Sequence, residues 1–116
     1  GAFHTGVDIS VPLGTRVKAA ADGVVAETEW AGHYGKLIIL DHGNGFSTYY
    51  AHLSRFSVVP GQWVRRGEIL GLSGASGRVT GPHVHYEVRR SGTAVNPHPY
   101  LRSALASAEP KRDYGF

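Results

Sequence analysis

Two stretches of this chain combine histidine with a carboxylate at spacings that could carry chemistry at neutral pH. Near the C-terminal third runs Gly81-Pro82-His83-Val84-His85-Tyr86-Glu87. His83, His85 and Glu87 are two apart, with Val84, Tyr86 and Val88 between and after them. Side chains alternate across a strand, so the spacing predicts one face of imidazoles and carboxylate and one apolar face. Two imidazoles fixed on one rigid face by a buried opposite face suit a metal ion. The competing reading of so short a motif is a solvated polar face on an edge strand. Near the N-terminus lie His4 and Asp8. That four-residue spacing would fit a helix face. Gly6 and the alternation of Val7, Ile9 and Val11 point instead to a turn entering a strand, with Asp8 turned away from the core.

The chemistry available is bounded by composition. The 116 residues make one domain, large enough for a core without staples. No cysteine is present, so disulfides and thiolate metal sites are excluded. A metal must then bind His, Asp or Glu, which favours zinc or a similar borderline cation. Seven histidines supply it. The net charge of +3 favours an anionic partner only weakly, because the twelve Lys and Arg are scattered. No recognition helix or aromatic-basic platform is visible, so no nucleic-acid partner is expected. No apolar run reaches the length of a membrane span, so this domain is not expected to insert. With His4 three residues from the start, the chain reads as an excised domain, so any targeting segment would lie upstream.

The elements that must position these groups read as short strands joined by tight turns, helped by sixteen glycines and six prolines. Asp22-Gly23 and Asp41-His42-Gly43-Asn44-Gly45 are hairpin turns, and Phe46 to His52 returns antiparallel after the second. On that return strand Thr48, Tyr50 and His52 are predicted to share a face. Gly14-x-x-Val17 is echoed by Gly61-x-x-Val64, the mark of two halves of similar topology or of two hairpins with common needs. Gly71 to Gly81 is a flexible loop rich in Gly and Ser. Leu101 to Ala108 is expected to form one short helix, and Glu109 to Phe116 a solvated tail. Nothing reads as a linker or second domain.

His4, Asp8 and one of the pair His83/His85 would fill the three-ligand quota of a catalytic zinc site. The remaining imidazoles suit general acid–base work. The chain resembles the lysostaphin/LytM-type zinc metallopeptidases, which are peptidoglycan endopeptidases. His4-x-x-x-Asp8 with His83-x-His85 carries the likeness. So do the stretches HTGVDISVPLGTRVKAAADGVV, GKLIILDHGNGFSTYYAHLS, VPGQWVRRGEILGLSGASG and TGPHVHYEV, in that order. Together they span Phe3 to about Leu101.

The resemblance implies one zinc ion held by His4, Asp8 and His85, with His83 and His52 as the catalytic histidines. It implies an all-β fold of antiparallel sheets, a barrel–sandwich hybrid with a duplicated hybrid motif and a loop-walled groove. Residues 1–108 would be the catalytic domain and 109–116 a tail. The implied substrates are peptidoglycan stem peptides or cross-bridges, the implied location the periplasm or the cell exterior. Latent members of the family add an upstream regulatory segment. The contrasting expectation is a non-catalytic domain of this fold that binds or activates another wall hydrolase. Such domains lack ligand or catalytic histidines that are all present here.

His83 is the expected general base and His52 the group that hydrogen-bonds the water or the oxyanion, although the two could exchange roles. Glu87 is either a support for His85 or a solvated strand carboxylate. His33, Tyr34, Tyr50 and Thr80 are expected along the substrate groove, with Arg78 and Trp30 near it. His42 is read as a structural turn histidine, His98 as a surface residue, and Trp30 and Trp63 as packed tryptophans.

Overall fold

The computed structural model describes residues 6–77, 79 and 81–97. Their elements in chain order are the strands β1 (Val7–Ser10), β2 (Arg16–Lys18), β3 (Gly23–Trp30), β4 (Lys36–Gly43) and β5 (Phe46–Phe56). They continue with β6 (Trp63–Val64), β7 (Ile69–Ser73), β8 (His83–Arg90) and β9 (Thr93–Val95). A single 3-10 turn, Gly32–Tyr34, joins β3 to β4. Every pairing is antiparallel, as the hairpin signals predicted. The expected helix at 101–108, the tail, His98 and the domain boundary at 108 fall outside the described residues, as do His4, Arg78 and Thr80. Among the described residues no helix is long and apolar enough to cross a membrane.

The main path of the sheet runs β1-β8-β5-β4-β3-β6, with β7 joining β2 to β5 and β9 beside β8. Strand β8 therefore lies between β1 and β5. It is not the edge strand that the competing reading of His83-x-His85 required. Its apolar side chains Val84, Tyr86 and Val88 are buried, as is Tyr50, which lies opposite Tyr86. They join Ile38, Leu40, Leu53 and Leu70 in one core. Each such side chain stabilises the fold by about 1.5–3 kcal/mol relative to exposure. The two halves of the internal echo also meet this core, since Val17 and Val64 are both fully buried.

Strand β5 changes partner along its length. Phe46 to Ala51 pair with β8, whereas Leu53 to Phe56 pair with β7. Between them stands His52, with φ of +63°. On the β4 side the register slips at the same place: Tyr50 faces Ile38, but Leu53 faces Lys36, so three steps along β5 match two along β4. This is a β-bulge, and it breaks the alternation of side chains. The prediction that Thr48, Tyr50 and His52 share a face is therefore corrected. Thr48 and Tyr50 do, their hydroxyls 2.7 Å apart, but the left-handed residue turns His52 to the other side.

The tryptophans also depart from expectation. Trp30 and Trp63 are both mainly exposed, Trp63 on the short edge strand β6 beside Val24. His42 does hold the role expected of it. Its Nδ1–H donates to the Asp22 carbonyl at 2.7 Å, and its Nε2 accepts from Thr48 Oγ1 at 2.6 Å. A buried chain of hydrogen bonds then runs through Tyr50 to the Ala20 amide at 3.0 Å.

Candidate metal and catalytic site

The site is built on the face of β8 that carries His83, His85 and Glu87. Strand β1 pairs with it so that Asp8 lies opposite His85 and Ser10 opposite His83. Opposed residues of an antiparallel pair share a face, and the Asp8 carboxylate reaches His85 Nδ1 at 2.7 Å. The same oxygen is 3.5 Å from His83 Nε2. This close approach of β1 depends on Gly6. A Cβ there would lie 2.1 Å from the Tyr86 carbonyl oxygen and 2.7 Å from Glu87 Cγ, and φ is +115°. Only glycine can cover Glu87 in this way.

His52 completes the cluster from β5. Its ring meets His83 edge to face at 4.8 Å and stands 6.2 Å from His85. Three imidazoles and one carboxylate, drawn from three strands, thus converge. The described residues bring together four of the five predicted site residues. The fifth, His4, lies outside them.

The hydrogen-bond partners fix which nitrogen of each ring does what. A carbonyl oxygen can only accept, so the ring nitrogen facing it must carry the proton. His52 Nδ1–H donates to the Ser76 carbonyl at 2.7 Å, and His83 Nδ1–H to the Gly81 carbonyl at 3.0 Å. In the neutral ring each keeps its lone pair on Nε2. His85 differs. Its Nε2 lies 2.8 Å from Glu87 Oε2 and its Nδ1 2.7 Å from Asp8 Oδ1, so both nitrogens face carboxylates and both donate in the protonated ring.

These partners also shift protonation. Burial works against the charged form of His85, but its hydrogen bonds to Glu87 and Asp8 outweigh that and raise its pKa. His52 moves the other way, lowered chiefly by burial and then by its neighbours His83 and His85. It stays a neutral acceptor where an ordinary imidazole would begin to charge.

Glu87 is fully buried, so the reading of a solvated carboxylate fails. Burial alone would raise its pKa, yet donors from His85, Tyr34 and Arg89 hold it below the usual carboxylate range. Arg89 grips Oε1 through Nε at 2.9 Å and Nη2 at 2.8 Å. An uncompensated buried charge of this kind would cost several kcal/mol.

Of the expected groove residues, His33 is exposed and stacks on Tyr34 at 5.2 Å. Tyr34 is half-buried and 5.8 Å from the His85 ring. Tyr50 is not at the groove. It is fully buried on the opposite face, because it precedes the bulge and keeps the alternation that His52 loses. Thr80 lies outside the described residues. Sequence reasoning missed Tyr49, Arg89 and Ser76. Tyr49 faces Glu87 across the strands and lies under the Arg89 guanidinium at 4.4 Å. Its place, one step from the misassigned Tyr50, was open to a reading that counted register from His85. Ser76, in a Gly/Ser loop, gave no such signal.

Asp8 and His85 Nδ1 share a proton in this arrangement, and a divalent cation there would use the same two lone pairs. One carboxylate with imidazole fits zinc by donor type. Among the described residues no group of three His, Cys, Asp or Glu is disposed to hold a metal ion. His4, the third ligand that the resemblance implies, lies outside the described residues.

Known proteins resemble this chain over most of its length. The profile of Peptidase family M23 matches residues 2–97. Peptidoglycan DD-endopeptidase ShyA of Vibrio cholerae is 44% identical over 110 residues, covering 95% of this chain and 25% of that protein. A zinc containing peptidase from Vibrio cholerae superposes with a TM-score of 0.77 and 37% identity, over 79% of this chain and 28% of that one. The catalytic domain of lysostaphin from Staphylococcus simulans gives a TM-score of 0.80 at 36% identity, covering 85% of this chain and 79% of that domain. The chain spans about a quarter of the length of the curated relatives it matches.

Proposed function

Because the chain belongs to peptidase family M23, we propose that it is a zinc-dependent endopeptidase that hydrolyses peptide cross-links of bacterial cell-wall peptidoglycan. The observation that carries this reading is the convergence of His85, His83 and His52 on the Asp8 carboxylate. His85 offers Nδ1 beside the Asp8 carboxylate, while His83 and His52 keep Nε2 lone pairs next to it. The names of ShyA, lysostaphin and the zinc containing peptidase supply the substrate class and the metal. The site of action is accordingly the periplasm or the cell exterior.

In this reading Asp8 and His85 hold the zinc ion together with His4. When bound, zinc supplies Lewis acidity for a peptide carbonyl and makes water a competent nucleophile near neutral pH. His83 is the general base. Its Nε2 accepts a proton from the attacking water, whose oxygen bonds to the carbonyl carbon as the C–N bond breaks. The resulting imidazolium returns that proton to the leaving amine, so water is divided between the two product ends. His52 holds the same water as a second acceptor, because its Nδ1–H is committed to Ser76 and its pKa is lowered. Tyr34 and His33 wall the groove.

The test is incubation of the purified domain with cross-linked peptidoglycan, with and without chelator, followed by separation of muropeptides. Chelator-sensitive loss of cross-linked dimers is expected, and product masses name the bond cut. Dimers that persist with one zinc bound per chain would overturn the catalytic reading in favour of a domain that activates another hydrolase.

A further inference from the structure

The Glu87 carboxylate ties a metal-ligand candidate to the groove wall. Its Oε2 accepts from His85 Nε2 at 2.8 Å and from the Tyr34 hydroxyl at 2.6 Å. Its Oε1 accepts twice from Arg89. Arg89 Nη2 also donates to the Tyr34 oxygen at 3.2 Å, which closes a ring of hydrogen bonds. All four donors are therefore arranged around one carboxylate with no exposed surface. Tyr34 belongs to the 3-10 turn between β3 and β4. Its hydroxyl is held as an un-ionised donor, with a pKa pushed up to about 12 by burial and then by Glu87.

Both His85 nitrogens face carboxylates, so when a cation replaces the proton between Nδ1 and Asp8, the acceptor-only Glu87 holds the remaining proton on Nε2. The orientation of that carboxylate is in turn set by Tyr34 from one side and by the Arg89 fork from the other. We propose that Glu87 is a positioning residue for His85, and that Tyr34 and Arg89 position Glu87, so that the groove wall helps to set metal affinity. The proposal rests on the reading of His85 as a zinc ligand. Tyr34 thereby has a second task besides lining the groove.

The experiment uses the whole chain and the variants Glu87→Gln and Tyr34→Phe. Zinc affinity is measured by chelator competition. The His85 tautomer is read by long-range proton–nitrogen correlation in metal-free protein at about pH 9, where imidazoles are neutral. A glutamine amide can also donate, so Glu87→Gln should shift the His85 proton from Nε2 toward Nδ1 relative to wild type and weaken zinc about tenfold or more. Tyr34→Phe keeps the ring and should weaken zinc several-fold, with a smaller change in tautomer. A simple loss of packing would lower thermal stability without moving the tautomer. Wild-type affinity and wild-type tautomer populations in both variants would overturn the proposal. Failure of the wild-type chain to bind zinc would instead overturn the proposed function, while the tautomer still reports on positioning.

Discussion

His52 and His83 meet edge to face with ring centroids 4.8 Å apart, although strand alternation would send them to opposite faces of the sheet. Tyr50 lies opposite Tyr86 in the core, and a regular strand would place His52 with Tyr50. The left-handed residue at the bulge reverses this. A non-glycine residue in that conformation costs about 1–2 kcal/mol. His52→Gly should therefore be more stable than His52→Ala by about 1 kcal/mol in urea unfolding. Both should keep zinc and lose turnover by about a hundredfold or more. Equal stabilities would show that the backbone at 52 is not strained.

Asp8→Ala removes a proposed ligand without disturbing the core, since Asp8 is largely exposed on the strand. Metal content and peptidoglycan hydrolysis should be lost together, with little change in the metal-free fold. Retention of one zinc per chain would remove Asp8 from the ligand set.

The two histidines of β8 should separate. His83→Ala is expected to abolish most turnover and retain zinc, because its Nδ1 bonds only a backbone carbonyl and its Nε2 is the lone-pair atom. His85→Ala should lose zinc and remove one of the four donors to the buried Glu87 carboxylate, which lowers stability by about 1–3 kcal/mol. Zinc analysis of the two purified variants decides it; the reverse outcome exchanges the roles.

Gly35 and Gly77 press the 3-10 turn against the loop that carries Ser76. A Cβ on Gly35 would lie 2.4 Å from the Ser76 carbonyl carbon, at a φ of +65°. Ser76 in turn accepts from His52, and its hydroxyl bridges Lys36 and Leu53. Gly35→Ala should cost about 2 kcal/mol or more and reduce turnover. Thermal unfolding and hydrolysis rate, measured together, should both change; an active variant of wild-type stability would contradict the contact.

Alkaline pH should destabilise the fold through Tyr50. Burial raises its pKa above the ordinary value of 10.0. The folded chain therefore keeps this proton when the unfolded chain has released it, and that contribution is fully present below pH 10 and declines above it. Tyr50→Phe should flatten this decline. It should also cost about 1–3 kcal/mol at neutral pH, because the Ala20 amide loses its acceptor. Unfolding free energy against pH for both proteins is the measurement. An unchanged alkaline slope would place the titration elsewhere.

Much of the site was legible in the chain because strand periodicity is a local property. Alternation alone put His83, His85 and Glu87 on one face and Val84, Tyr86 and Val88 on the other, and turned Asp8 away from Val7 and Ile9. The hairpin at Asp41 to Gly45 followed from turn chemistry, which is also local. What only the tertiary structure decided depends on groups distant in sequence. His52 reaches the site through a bulge set by β4 and by the change of partner from β8 to β7. Glu87 becomes a buried acceptor because Gly6 lets β1 lie over it and because Tyr34 and Arg89 come to it. The ring tautomers follow from the carbonyls of Ser76 and Gly81 and from that carboxylate. The residue types gave the chemistry; the partners that aim each nitrogen exist only once the strands have paired.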